Sequence, residues 1–158
     1  MNFLIVYGTR YGMTRLTAET MGEWLQKENK NSVIITDYKI SKKIRKQINS
    51  FYLIIAGSSI VSSRWKGGVK RFLKKYGKDK KLALFVTAGG TLYHANERGQ
   101  TKEEAIERAK QKYILPVVEK YGLKPTKLGV FGGQYKKRKK VKYNNWNKDD
   151  IITWIKEF

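Results

Sequence analysis

Short apolar runs and amphipathic stretches alternate along this chain. Phe3-Leu4-Ile5-Val6-Tyr7 is an apolar run ended by Gly8, which has the length and residue types of a buried strand. From Thr14 to Glu28 the positions Leu16, Ala18, Met21, Trp24 and Leu25 follow helical spacing. Val33-Ile34-Ile35 reads as a second strand, and Phe51 to Ala56, closed by Gly57, as a third. Trp65, Val69, Phe72 and Leu73 then fall on one helical face. Leu82 to Val86 is a fourth strand, ended by Gly89-Gly90. Thr101-Lys102-Glu103-Glu104 has the form of a capping box. The helix it opens runs to about Tyr121, where Gly122 stops it, and Pro116 should kink or split it. Leu128 to Phe131 is a fifth strand before Gly132-Gly133, and Asn147 caps a last helix carrying Ile151, Ile152, Trp154 and Ile155.

Five apolar strands alternating with helices predict a parallel sheet covered on both faces. Right-handed crossovers make this an α/β, doubly wound three-layer sandwich with a five-stranded parallel sheet. No repeat or linker interrupts the pattern, so residues 1–158 are expected to form a single domain.

Composition changes this picture in two respects. The chain lacks cysteine, which removes disulfides, thiolate metal sites and thiol nucleophiles from consideration. The formal net charge is +21 with a pI near 10.1, which favours polyanions as partners: acidic proteins, nucleic acid or an anionic membrane surface. A lysine-rich proteome would raise the charge in the same way. The first apolar run is too short for a signal peptide or a membrane span, and no later stretch reaches a spanning length. The expectation is a soluble cytoplasmic protein with no transmembrane segment.

In a doubly wound sheet the ligand lies beyond the carboxyl ends of the strands. That selects loops 8–14, 57–64, 87–100 and 132–146. The first reads Tyr7-Gly8-Thr9-Arg10-Tyr11-Gly12-Met13-Thr14 and leads straight into a helix. It offers hydroxyls, a glycine for close approach, an arginine and the free amides of a helix start, which together suit an anion. It is neither a Walker A loop nor a dinucleotide GxGxxG, so a mononucleotide phosphate is the natural occupant. An ordinary strand-to-helix turn capped by threonine is the plain alternative.

Thr9-Arg10-Tyr11-Gly12-Met13-Thr14 resembles the phosphate-binding T-x-T-G-x-T signature of flavodoxins, with Tyr11 for the middle Thr and Met13 for the usual Asn. The Thr-Arg-x-Gly-x-Thr variant looks closer to the branch containing the quinone-dependent protoporphyrinogen dehydrogenases. Ala56-Gly57-Ser58-Ser59-Ile60, followed by Trp65-Lys66-Gly67-Gly68-Val69, extends the resemblance to a second strand, loop and helix. The resemblance implies a flavodoxin-like fold and FMN as cofactor. Thr9, Arg10, Tyr11, Gly12, Met13 and Thr14 would hold its phosphate. Ser58, Ser59, Ile60 and Val61 would flank the isoalloxazine, with Thr87, Ala88, Gly89, Gly90 and Tyr93 forming the opposite wall. Trp65 reads as a core anchor rather than a flavin contact. Many flavodoxins carry in the second loop a glycine whose peptide flips toward reduced flavin. The β-branched Ile60 and Val61 disfavour positive φ, so strong stabilisation of half-reduced flavin is not expected.

The only histidine, His94, lies in the third loop and could donate a proton near a flavin. Asp149 and Asp150 decorate the start of the last helix, where negative charge is favoured. Lys136-Lys137-Arg138-Lys139-Lys140-Val141-Lys142, bracketed by Tyr135, Tyr143 and Trp146, falls on the ligand side of the sheet. It suits acidic redox protein partners, nucleic acid or anionic lipid, or it is simply a solvated loop. The dehydrogenase branch has a longer insertion in this region than the short hydrophilic one here. The leading reading is an FMN-binding electron-transfer protein. A flavin-dependent dehydrogenase or quinone reductase, protoporphyrinogen oxidation included, and an FMN-free basic module for nucleic acid are the rivals.

Overall fold

The computed structural model describes residues 1–29 and 31–158. Its parallel sheet consists of β1 (Asn2–Gly8), β2 (Ser32–Asp37), β3 (Leu53–Ser59), β4 (Leu82–Thr87) and β5 (Lys127–Phe131), in the order β2-β1-β3-β4-β5. All four pairings are parallel: Leu4 lies opposite Ile34 and Ile54, Ala56 opposite Leu84, and Leu84 opposite Leu128. The doubly wound three-layer architecture predicted from the alternation is the one observed.

Successive side chains of a strand point to opposite faces, and here both faces are apolar. Leu4, Val6, Ile54, Ala56, Leu84 and Val86 are buried beneath α2 (Lys42–Lys46), α3 (Gly67–Tyr76), α5 (Lys102–Ala109) and α6 (Leu115–Tyr121). Phe3, Ile5, Leu53, Ile55, Ala83 and Phe85 are buried beneath α1 (Met13–Asn29) and α7 (Lys148–Ile155). The continuous apolar runs of the sequence are thus the signature of a sheet with no solvent face.

Both caps read from the sequence form. Thr101 accepts from the Glu104 amide at 3.1 Å while the Glu104 carboxylate accepts from the Thr101 amide at 3.2 Å. Asn147 accepts from the amides of Asp149 and Asp150 at 2.8 and 3.3 Å.

Three details differ from the sequence reading, and the break expected at Pro116 takes a specific form. The third strand starts at Leu53 rather than Phe51 and continues to Ser59, so Ser58 and Ser59 belong to a strand end. Trp65 precedes α3 instead of lying on it; its indole is buried and donates to the Tyr113 carbonyl at 2.7 Å. Between α5 and Pro116 the chain makes a π-turn, Lys110–Ile114, where the wider ring accommodates the proline without ending the helix. The basic tract is an antiparallel hairpin, β6 (Gln134–Lys137) with β7 (Lys140–Asn144). A short helix, α4 (Gly89–Tyr93), follows β4. No helix among the described residues is long and apolar enough to cross a membrane.

Candidate functional site

A cavity of about 540 Å³ opens at the carboxyl ends of β1, β3, β4 and β5. The first loop forms one wall with Thr9, Arg10, Tyr11, Met13 and Thr14. Gly12 does not line the cavity but shapes the loop. Its φ of +88° is a left-handed conformation that side chains disfavour, and its amide donates to the Thr9 hydroxyl at 2.9 Å. The helix then begins with Leu16 bonding back to the Gly12 carbonyl at 3.0 Å. Amides of the first turn, ahead of that bond, have no partner inside a helix. Arg10 and Tyr11 are exposed beside them.

Thr14 is wholly buried, and its hydroxyl lies 2.7 Å from that of Thr87. This contact ties the first loop to the end of β4. Ser58 is a strut rather than a wall. Its hydroxyl donates to the Ser59 carbonyl and accepts from the Lys66 amide, both at 2.9 Å, and it does not line the cavity. Ser59, Ile60 and Val61 do line it. Among the described residues, the Ser59 hydroxyl is a buried side-chain polar atom without a hydrogen-bond partner. The chain then turns tightly, with Val61 and Arg64 exchanging two backbone bonds of 3.0 Å. Ser62 and Ser63, at φ +51° and +62°, form the tip of that turn and also face the cavity. Left-handed serines are strained, and such strain concentrates at ligand clamps.

Thr87, Ala88, Gly89 and Gly90 also line the cavity. Tyr93 is placed elsewhere. It is half-exposed, does not line the cavity, and stacks on Tyr143 with centroids 4.6 Å apart and planes 16° apart. Tyr143 stacks in turn near Tyr135, at 5.8 Å and 28°, and Tyr135 meets the edge of Tyr11 at 6.4 Å. Four tyrosines from three loops therefore form one continuous aromatic ladder. Burial, then the neighbouring phenols of Tyr135, Tyr11 and Tyr93, raise the Tyr143 phenol above its ordinary pKa.

The sequence reading missed the far end of the cavity, which is lined by Thr91, Arg98, Arg108, Lys112 and Tyr113. Arg98 is held by the Thr91 carbonyl at 2.5 Å and Gln100 at 2.8 Å. None of these three cations joins the ion pairs formed among the described residues. Burial pushes the Tyr113 phenol up, but hydrogen bonds with Thr91 and Ser63 and the adjacent Lys112 charge outweigh it and lower its pKa. Lys112 and Tyr113 reach the cavity from the π-turn. Pro116 gave notice of a break there, but not of its inward direction. His94 also lines the cavity and pairs with Glu97 at 3.0 Å.

The hairpin closes the remaining side through Gly133, Gln134, Tyr135 and Tyr143. Asn145 anchors it: its side chain accepts from the Gly133 amide and donates to the Gly89 carbonyl, both at 2.9 Å. A Cβ on Gly132 would lie 1.9 Å from the Asn145 carbonyl oxygen, so only glycine fits this approach. Trp146 turns away from the tract and donates to the Thr17 hydroxyl at 2.9 Å.

Chemically, the cavity combines a helix start with free amides, loops from several strand ends, Ser59 with its unpartnered hydroxyl, and the cations Arg98, Arg108 and Lys112. Solved structures with the same fold include a flavodoxin from the Archaea, 14% identical, aligned over 99% of this chain and 92% of that one with a TM-score of 0.61. An oxidised flavodoxin 1 from Bacillus cereus is 12% identical over 99% and 94% of the two chains, with a TM-score of 0.54. Rubredoxin oxygen:oxidoreductase from Desulfovibrio gigas is 15% identical, TM-score 0.57; 99% of this chain aligns with 35% of that longer one. No curated protein matches the sequence. A family model described as a flavodoxin domain matches residues 4–156, and on that match the chain belongs to the flavodoxin domain family.

Proposed function

We propose that the protein binds FMN in this cavity and passes electrons to or from acidic partners in the cytoplasm. The supporting observation is that loops far apart in sequence converge on one cavity, and that Ser59, whose buried hydroxyl has no partner, is among the residues that line it. A buried hydroxyl without a partner costs about 1–3 kcal/mol, and a polar ring edge would satisfy it. Thr9, Arg10, Tyr11, Met13 and Thr14, with Gly12 shaping the turn, would hold the phosphate at the start of α1. Ser59, Ile60 and Val61 on one side, and Thr87, Ala88, Gly89 and Gly90 on the other, would flank the ring. Ser58 supports the first wall from behind, and Tyr93 acts through its stack on Tyr143. When bound, FMN supplies the redox chemistry, while the chain sets binding, orientation and potential.

The hairpin that lines the cavity with Gln134, Tyr135 and Tyr143 also carries Lys136, Lys137, Arg138, Lys139, Lys140 and Lys142. That charge would steer an acidic protein toward the flavin. A second reading is an FMN-dependent dehydrogenase or quinone reductase, of which the protoporphyrinogen branch is one form. It is favoured by Arg98, Arg108 and Lys112 in the cavity lining, cations that suit a small acidic substrate.

Absorbance of the purified protein before and after FMN addition tests the proposal. Flavin bands that shift on binding, and are lost in Thr14→Ala combined with Gly12→Glu, are the expected result. A protein that neither takes up FMN nor quenches its fluorescence would overturn it. Turnover with a quinone would then separate enzyme from shuttle.

A further inference from the structure

Residues 38–81 hold fourteen Lys and Arg against one acid, Asp79, a net +13 of the chain's +21. The basic hairpin supplies a further +6. A merely lysine-rich composition would spread the surplus, yet the remaining residues are close to neutral. The charge also opposes local helix preferences. Neither α2 nor α3 has an acid in its first turn, whereas α5 and α7 carry Glu103, Glu104, Asp149 and Asp150 there. Lys42 and Lys46, Lys70 and Lys74, and Arg71 and Lys75 are like-charge neighbours one turn apart. Each such pair costs a helix roughly 0.2–0.5 kcal/mol. A face built against its own stability points to a use for the charge.

That face contains a groove of about 420 Å³ between the loop after β2, α2 and α3. Lys39, Arg45, Arg71 and Lys75 line it, together with Tyr38 and Tyr76. None of these cations takes part in the ion pairs among the described residues. The groove shares no lining residue with the larger cavity. We propose that this groove binds single-stranded nucleic acid, a function separate from the flavin site and independent of whether that site holds FMN. Unpaired cations in a concavity track a phosphodiester backbone, and the half-buried rings of Tyr38 and Tyr76 in the same groove offer the bases an apolar contact. A membrane is the poorer occupant, because no large apolar side chain stands exposed on α2 or α3 to anchor in lipid. An acidic protein would match the charge but makes no use of the two rings that line the groove.

Fluorescence anisotropy of a labelled oligothymidine with the full chain tests this, titrated between about 50 and 200 mM salt. Arg71→Gln with Lys75→Gln removes two phosphate contacts. Affinity should fall at least about tenfold, and the slope of log affinity against log salt should shrink by about 1.4, at roughly 0.7 per single-strand phosphate. Arg71→Glu with Lys75→Glu should weaken binding further while circular dichroism stays unchanged. Lys27→Glu with Lys156→Glu, on the α1–α7 side, makes a comparable change in net charge and should shift affinity less than about twofold, since distant charges are screened. Equal losses in the groove and control variants, or no binding by the parent, would overturn the proposal. So would tighter binding to phosphatidylserine vesicles or polyglutamate with the same dependence on residues 71 and 75, which would assign the groove to lipid or to an acidic protein.

Discussion

Ser59 carries a conflict between stability and binding at a single atom. Its hydroxyl is buried in the cavity wall without a partner, and such a group is retained where a ligand supplies the missing bond. Ser59→Ala should therefore leave the flavin-free protein as stable as the parent or more so, by up to about 1–3 kcal/mol. The same change should weaken FMN binding about tenfold or more, as expected for one lost hydrogen bond of roughly 1.4 kcal/mol. Thermal unfolding without FMN, set beside fluorescence titration with it, checks both halves. Loss of stability without loss of affinity would make Ser59 a packing residue. Tyr143 gives a second prediction. Its phenol is raised mainly by burial, so the fold favours the neutral form. Its contribution to stability is complete below the ordinary phenol value of 10.0 and is lost as pH rises through the higher folded value. The stability difference between parent and Tyr143→Phe, measured by urea unfolding, should thus be constant at neutral pH. It should move in favour of the variant above about pH 10.

At the scale of elements the hairpin is the clearest departure from the sequence reading. Strands β1 to β5 were legible because runs such as Phe3–Tyr7 are apolar throughout, and the two caps because Thr101 and Asn147 stand at fixed offsets from the groups they bond. The hairpin was not legible. Lysine takes four of the nine positions of its strands, and its turn, Arg138-Lys139, has φ of +50° and +64°, where Asn-Gly would be the recognisable pair. What holds the hairpin lies elsewhere: Asn145 joined to Gly133 and Gly89, and the tyrosine stack. The first loop could be read in sequence because its residues are contiguous. Arg98, Arg108 and Lys112 could not, because only the π-turn and the return of α5 bring them together. The strained turn makes its own prediction. Replacing Arg138-Lys139 by Asn-Gly removes about 1–2 kcal/mol of left-handed strain per residue. It should raise amide protection in β6 and β7 by at least about thirtyfold, as read by hydrogen exchange, without changing FMN affinity. Unchanged protection would mean that the stack and Asn145 alone set the hairpin's stability.

Across the whole molecule most of the surplus charge lies in two segments, residues 38–81 and the hairpin, and the hairpin meets the cavity through Gln134, Tyr135 and Tyr143. Cations near a flavin favour its reduced, anionic form. At about 10 Å through water each unit charge is worth roughly 0.4 kcal/mol, so six exposed cations act as a field rather than as contacts. Removing Lys136, Lys137, Lys139 and Lys140 together as glutamines should lower the reduction potential of bound FMN by tens of millivolts at low salt. The change should vanish near 1 M salt, where the screening length is about 3 Å. It should also slow electron transfer to an acidic carrier, chiefly at low ionic strength, because steering is an encounter effect. Arg71→Gln with Lys75→Gln, on the other surface, should move the potential far less. Redox titration of the three proteins at two salt concentrations separates these terms. A shift that persists in high salt would assign the tuning to groups in contact with the flavin, with Arg98, Arg108 and Lys112 at the cavity's far end the first to replace. Equal shifts from hairpin and groove would mean that net charge alone sets the potential, and that the hairpin's place beside the cavity has no electrostatic consequence.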